Sequence, residues 1–239
     1  MWSRSIRRGK SDEKILLASC SLMFGIAVLS LGGATNSQNV ATVHAVTTPA
    51  SNGLTAPEKV DGTNTEVKSV TGNSTSGKVV YTNGSGTATT ATYKQNKYQN
   101  SSQATTSFAN YQNVTETNGP KITLSDGTKA VRQGVMEHVY IQWQKNGWNV
   151  TAVADTDQLT TTSVSSTNKA ATAVANKVQK TLKATQVTTQ DVTKGNVVVY
   201  SSSQQKPVNS ISWQQGKKVA RVTGANVTTT AKIAKDTLK

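Results

Sequence analysis

The chain has 239 residues, of which 35% are hydrophobic and 5% aromatic. Its 26 Lys and Arg residues outnumber its 12 Asp and Glu residues, which gives a formal net charge of +14 at pH 7. This excess favours an anionic partner. With 2 histidines and 1 cysteine, the composition excludes metal sites built from clusters of those residues.

The first 45 residues have the pattern of an export signal. Basic residues precede an uncharged apolar run from Ile15 to Leu31, and the tripeptide Val43-His44-Ala45 resembles an A-x-A cleavage site. We therefore expect residues 1–45 to be a signal peptide of the general secretory route, cut after Ala45. The alternative is an uncleaved single-pass membrane anchor at about residues 15–33, because that run is just long enough to span a bilayer.

Cys20 lies inside this segment. Leu17-Ala18-Ser19-Cys20 has the residue pattern of a lipobox, but only Ile15 and Leu16 separate it from the last charge, short of the roughly 7–15 apolar residues that such a signal needs. Cleavage after Ala45 leaves a mature chain without cysteine, and so without disulfides, thiolate metal sites or a cysteine nucleophile. An exported protein without disulfides fits a Gram-positive bacterium, with an extracellular or cell-envelope location.

Residues 46–119 predict a low-complexity, flexible stalk. Half of the residues from Val46 to Thr115 are Ser, Thr, Asn or Gln, and the few large apolar residues follow no helical or strand period. Such a segment buries too little apolar surface to offset the entropy lost on ordering. Local exceptions are a short strand at 78–81 and four aromatic residues suited to dock onto a neighbouring domain: Tyr93, Tyr98, Phe108 and Tyr111.

Residues 120–239 predict a folded domain rich in strands. Strands at 121–124 and 129–133 flank a tight turn that contains Gly127. The strongest hairpin follows, because residues 139–143 and 148–154 alternate in polarity around Asn146-Gly147, a dipeptide typical of type I′ turns. Three more segments are predicted as strands: 196–201, 208–214 and 217–222, the last two joined by a turn at Gln215-Gly216.

Two helices are predicted in the same domain. Apolar residues recur at spacings of three and four residues between Ala171 and Leu182, with Ser166 or Thr167 as the cap. A shorter helix uses Ala231, Ala234 and Leu238. The fold class is therefore α+β: an antiparallel sheet with two helices packed on one face, preceded by a signal peptide and a disordered Ser/Thr/Asn-rich stalk.

The domain contains a candidate internal repeat. The segment 141–153 parallels 211–222 with one residue missing at the turn, and each segment is followed by an Ala-rich helix. A hairpin with a Trp on its first strand also arises independently, so the repeat is left open. Trp143 and Trp213 are interpreted as core residues rather than as residues that stack on a ligand.

The C-terminal segment resembles a family of uncharacterised, small exported proteins of Gram-positive bacteria, of the lactobacillus type. The resemblance rests on Ser212-Trp213-Gln-Gln-Gly216, Val222-Thr-Gly224 and an Ile233-Ala234 pair in the last helix, and it covers residues 120–239. It implies a secreted or surface domain without assigned catalytic residues. Lys217-Lys218 departs from the family, which often has a less basic turn here.

The sequence contains none of the motifs that mark common catalytic sites. His138 is the one histidine after Ala45, no serine lies in a Gly-x-Ser-x-Gly elbow, and there is no Walker A loop, dinucleotide fingerprint or His-Glu-x-x-His motif. Asp155 and Asp157 supply too few oxygens for a calcium loop. We therefore expect a protein that is not an enzyme and has no cofactor, metal or catalytic residue. A secreted enzyme with an unrecognised site is an alternative.

Positive charge is concentrated in residues 120–239, which hold 16 basic and 6 acidic side chains. The favoured function is non-catalytic binding of an anionic cell-wall polymer, a membrane surface or an extracellular partner. The alternative is a groove-type carrier or sensor for a lipid or peptide, which would take an apolar ligand. Export and the lack of an aromatic-basic motif argue against nucleic acid. The candidate polyanion contacts are Lys177, Lys180, Lys183, Lys217, Lys218 and Arg221.

Overall fold

A computed structural model describes residues 52–111, 118–135, 137–156, 163–201 and 208–238. All of them belong to a compact unit that spans Val46–Lys239. The predicted signal peptide, its cleavage site and the alternative anchor lie outside the described residues.

The described residues form ten strands, three α-helices and a short 3-10 helix, Val187–Thr189. The strands are β1 Thr65–Gly72, β2 Ser76–Asn83, β3 Thr89–Lys97, β4 Lys121–Thr123, β5 Lys129–Val135, β6 His138–Lys145, β7 Trp148–Asp155, β8 Lys194–Tyr200, β9 Asn209–Gln215 and β10 Lys218–Gly224. The helices are α1 Ser101–Ala109, α2 Val164–Thr185 and α3 Val227–Thr237.

The strands make one sheet in the order β1-β2-β3-β10-β9-β8-β7-β6-β5-β4. Every neighbouring pair is antiparallel except β7 and β8, which are parallel. The prediction of a wholly antiparallel sheet was wrong at this pair. The cause is α2, which follows β7 and returns the chain to start β8 in the same direction, as a parallel pair requires.

The two candidate repeat hairpins have the same pairing register. Trp143 lies opposite Val150 in β6–β7, and Trp213 lies opposite Ala220 in β9–β10, so each pair encloses a loop of equal length. The alignment of these segments therefore needs no gap at the turn. Asn146 and Gly147 both have positive φ, as a type I′ turn requires, whereas the second turn is made by Gly216 and Lys217.

The sheet has two unlike faces, because alternate residues of a strand point to opposite sides. On the helix face, α2 and α3 pack over a core that includes Ile141, Trp148 and Ile211. The predicted placement of two helices on one face is correct for α2 and α3, and the tryptophans at 143 and 213 are buried as predicted. The third helix, α1, lies on the back face, where Ala104 and Phe108 contact Val219 of β10.

The structure differs from the prediction of a flexible stalk over residues 46–119. Within the described part of that segment, β1, β2, β3 and α1 belong to the same sheet and core as the C-terminal strands. Val79, Tyr81 and Tyr93 are fully buried on the helix face, and the Tyr93 ring stacks on Trp213 with 6.2 Å between ring centroids. These few apolar residues are enough because β10 and the helices complete the core around them. The folded domain thus begins well before residue 120.

Candidate functional site

The solvent side of α2 is a row of lysines. Lys169, Lys177, Lys180 and Lys183 are all exposed, and this 22-residue helix contains no acidic residue. At about 1.5 Å per residue, the row extends over roughly 21 Å. The opposite side of α2 anchors the helix through buried residues that include Ala175, Val178 and Leu182. The row is thus held on a rigid support.

Three of these lysines border a shallow pocket of about 380 Å³ against the turn between β4 and β5. Asn176 Oδ1 accepts a hydrogen bond from Ser125 N at 2.9 Å, and Gln179 Nε2 donates to Asp126 Oδ1 at 2.6 Å. These two bonds fix the turn against α2. The pocket is lined by Ser125, Asp126, Asn176, Lys177, Gln179, Lys180 and Lys183.

Asp126 is the acidic residue of this pocket, and its carboxylate is already engaged. The pKa of Asp126 is lowered below its ordinary value, mainly by hydrogen bonds from Thr128. A hydrogen bond from Gln179 and the charge of Lys145 add to the effect. Lys145 Nζ lies 4.0 Å from Asp126 Oδ2. In the part of the chain that the structure describes, no carboxylate lies within 4.0 Å of the α2 lysines. Their charge is therefore open to an external anion.

A second cavity of about 420 Å³ lies between α2 and α3, beside the ends of β8 and β9. Its walls combine apolar side chains, among them Val174, Val199 and Val227, with polar ones such as Thr181 and Asn209. Lys177 borders this groove as well as the first pocket. The groove is the feature that a carrier for a small ligand would need.

The back face carries a different basic group. Lys94 of β3 lies opposite both Lys78 of β2 and Arg221 of β10. Lys78 and Lys94 are exposed, and the Arg221 guanidinium carbon lies 5.2 Å from the centre of the Tyr111 ring, in cation–π geometry. Of these cations, sequence reasoning singled out Arg221 alone. Lys94 lies in the segment that the sequence predicts as a stalk, where alternate positions carry Thr and Gln and no clear strand signal marks it.

The six predicted polyanion contacts do not form one surface. Lys177, Lys180 and Lys183 meet at the α2 pocket. Lys217 lies in the β9–β10 turn, and Lys218 is paired with Lys97 of β3, where burial lowers the Lys218 pKa. Arg221 points to the back face, away from α2.

His138 and Asp155 form a close pair that the sequence did not predict. They lie opposite each other on β6 and β7, with His138 Nδ1 at 2.7 Å from Asp155 Oδ1. The Asp155 backbone N–H also donates to Ser201 Oγ at 3.2 Å. The pair joins the ends of two strands, while Asp157 lies outside the described residues. Elsewhere in the described ranges, no cluster of three or more His, Cys, Asp or Glu side chains could hold a metal ion.

Comparisons with protein-family models, curated proteins and solved structures gave no match to this chain. Within the described ranges, none of the helices has both the length and the apolar character needed to cross a membrane.

Proposed function

We propose that this protein is a non-catalytic, exported or cell-surface binding protein whose basic domain binds an anionic polymer of a Gram-positive cell envelope. The observation that supports the proposal is the set of exposed α2 lysines around the pocket with Ser125 and Asp126, which lack a carboxylate partner in the described residues. A repeating anion laid along α2 meets several of these charges at once.

The binding expected from such a surface is multivalent and sensitive to salt. Each exposed charge pair contributes only about 0.2–1 kcal/mol, so affinity arises from several contacts together. Salt screens these contacts, because the Debye length falls from about 30 Å at 0.01 M to about 10 Å at 0.1 M ionic strength. A long polymer is therefore held more firmly than a single anion.

The test is retention of the purified protein on Gram-positive cell wall that carries its anionic polymer, measured over a salt series. The triple variant K177Q/K180Q/K183Q is expected to bind about tenfold more weakly at low salt and to show a flatter salt dependence. The matched control is K59Q/K68Q/K121Q, which removes the same charge from three other exposed lysines. Retention that does not change with salt concentration, or an equal loss of retention in the two triple variants, would contradict the proposal.

A second candidate function is a carrier of a small, partly apolar ligand in the groove between α2 and α3. The 420 Å³ groove with its valine walls is the observation that favours it, since pockets of about 300–1,000 Å³ hold typical ligands. The measurement is mass spectrometry of small molecules that co-purify with the native protein. The variant V174W, which fills the groove, is expected to lose them, and an identical set of molecules in both proteins would rule out this function.

A further inference from the structure

Three cations lie in register on the back face of the sheet. Lys78, Lys94 and Arg221 occupy directly opposed positions on β2, β3 and β10. Opposed residues of antiparallel strands point to the same face with their Cβ atoms about 4.5–5.5 Å apart, and like charges in this arrangement repel. No carboxylate of the described segments lies within 4.0 Å of any of the three. An anion bound here would remove the repulsion.

Arg221 is already positioned for such a ligand. The Tyr111 ring covers its guanidinium group at 5.2 Å, and the backbone oxygen of Tyr111 accepts a hydrogen bond of 2.6 Å from Asn196 Nδ2. The Arg221 side chain is half-buried, in contrast to the exposed lysines beside it. A group that is held in place loses less entropy when a ligand binds.

Unused hydrogen-bonding atoms surround the same arginine. Arg221 Nε, Ser212 Oγ and Asn196 Oδ1 are buried and have no hydrogen-bond partner in the structure. These residues are direct neighbours, because Ser212 lies opposite Arg221 and Asn196 lies opposite Ser212. Ser212 and Asn196 are each only 1% exposed. Since buried polar atoms are normally paired, the two donors of this group, Arg221 Nε and Ser212 Oγ, indicate a place where a ligand with acceptor oxygens completes the bonding.

We propose that Lys78, Lys94 and Arg221, with Ser212 beside them, form a binding site for a phosphate group. Arginine binds phosphate through two parallel N–H donors, and lysine supplies point charges that fit the remaining oxygens. A phosphate monoester has three terminal oxygens for the three cations, whereas a carboxylate has two. The site goes beyond the proposed function, because it lies on the back face and uses none of the α2 lysines. A domain with both sites holds anions on the two faces of one sheet.

The test is an NMR titration of the full chain with inorganic phosphate and with tripolyphosphate, at an ionic strength held constant with NaCl. The expected result is a saturable shift of the Arg221 Nε–H signal and of the Lys94 and Ser212 amides. K94Q and R221K are expected to weaken binding by roughly tenfold, because each removes charge-assisted hydrogen bonds. R221K retains the charge and loses only the forked geometry, and the K59Q control should bind as the wild type does.

The possible results separate this site from the α2 surface. Shifts confined to α2, equal shifts with citrate, or equal binding by K94Q and K59Q would each overturn the phosphate site. The variant K177Q/K180Q/K183Q provides the reverse comparison, and it should lose wall retention while it keeps the Arg221 Nε–H response. Lys94 is exposed, so K94Q tests binding without disturbing the core.

Discussion

Gly195 is a residue whose identity is tightly fixed by packing. It lies opposite Trp148 in the parallel pair of β7 and β8, and the indole ring covers it. A Cβ atom at residue 195 would lie 2.2 Å from Trp148 Cδ2. Trp148 is fully buried, and its Nε1 donates to the Gln190 backbone oxygen at 3.3 Å, so the ring has little room to move.

We therefore predict that Gly195→Ala lowers the free energy of unfolding by about 1–3 kcal/mol, through overpacking. Urea unfolding followed by tryptophan fluorescence measures the change. Gly134→Ala on β5 is the control, because a Cβ there meets no atom within 4 Å, and its effect should stay within about 0.5 kcal/mol. Similar losses in both variants would show that the Trp148 contact is not the cause.

Two buried tyrosines, Tyr81 and Tyr93, are expected to make the protein less stable at alkaline pH. Burial raises the pKa of Tyr81 and Tyr93 well above the ordinary value of 10.0. Above that value the phenols ionise in the unfolded chain but stay protonated in the folded protein, so the unfolded state binds fewer protons. The free energy of unfolding contributed by these groups is present below about pH 10 and is lost as the pH rises beyond it.

Tyr93→Phe is therefore expected to reduce this alkaline loss by up to about 1.4 kcal/mol per pH unit. The measurement is urea unfolding of the wild type and the variant between pH 8 and pH 11. The hydroxyl of Tyr93 donates to Gln95 Oε1 at 2.6 Å, so the variant is less stable than the wild type already at pH 8. The two proteins are therefore compared by how steeply the free energy of unfolding falls with pH. Parallel pH curves for the two proteins would contradict the assignment.

Among the elements, α1 shows how a polar segment is held in place. This nine-residue helix consists mostly of Ser, Thr and Gln, and such a short helix is marginal by itself in water. Its Asn100 cap accepts a hydrogen bond from Gln103 N, and Phe108 contacts Val219 of β10. Thr105 Oγ1 also donates to Gln214 Oε1 at 3.1 Å. Long-range contacts, rather than helix propensity, therefore stabilise α1.

Phe108→Ala is expected to cost about 3–5 kcal/mol of docking energy and to release α1 from the sheet. Hydrogen exchange should then lose protection in α1 while the amide of Ile211 in β9 remains protected. Thr106→Ala is the control, since Thr106 is exposed and its hydroxyl bonds within the helix. Unchanged protection of α1 in Phe108→Ala would show that this contact is dispensable.

The elements that the sequence predicted well are those with local signals. The β6–β7 hairpin follows from its alternation and from Asn146-Gly147, and α2 follows from its apolar spacing. Strands β1 and β3 lack such signals, because their alternate positions carry Thr and Gln. Gln95 is buried, and its Nε2 donates to the Ser74 backbone oxygen at 2.6 Å. A glutamine is usually exposed, so nothing in the sequence indicates that this side chain is buried.

The candidate sites were likewise predictable from the sequence only where their residues lie close together in the chain. The cluster of Lys177, Lys180 and Lys183 was visible because the three residues share one helix. The back-face site was not, because its geometry depends on Arg221 lying opposite Lys94, a pairing between residues that are far apart in the sequence. Only the strand order brings those charges together.

At the scale of the whole molecule, the sheet makes the N-terminal and C-terminal strands interdependent. Strand β10 pairs with β9 on one side and with β3 on the other, over seven residues each. Removing β1–β3 would leave the β10 edge open and would expose Trp213, which is fully buried against Tyr93 in the intact protein.

We predict that a fragment of residues 118–239 does not unfold cooperatively on heating, whereas a chain of residues 52–239 does. Circular dichroism at rising temperature measures both, and a dye that binds exposed apolar surface should bind the shorter fragment. An equal melting temperature for the two chains would show that residues 52–111 add nothing to stability and would restore the prediction of a stalk.

The pairing of β3 with β10 also governs the order in which the chain can fold. Residues 91–97 must wait for residues 218–224, which follow them much later in the chain. Until then the β1–β3 meander has an open edge, and contacts of such wide sequence separation form slowly. Completion of the sheet is thus a step that follows synthesis of β10, so the first three strands gain their last edge contact only after the other strands have been made.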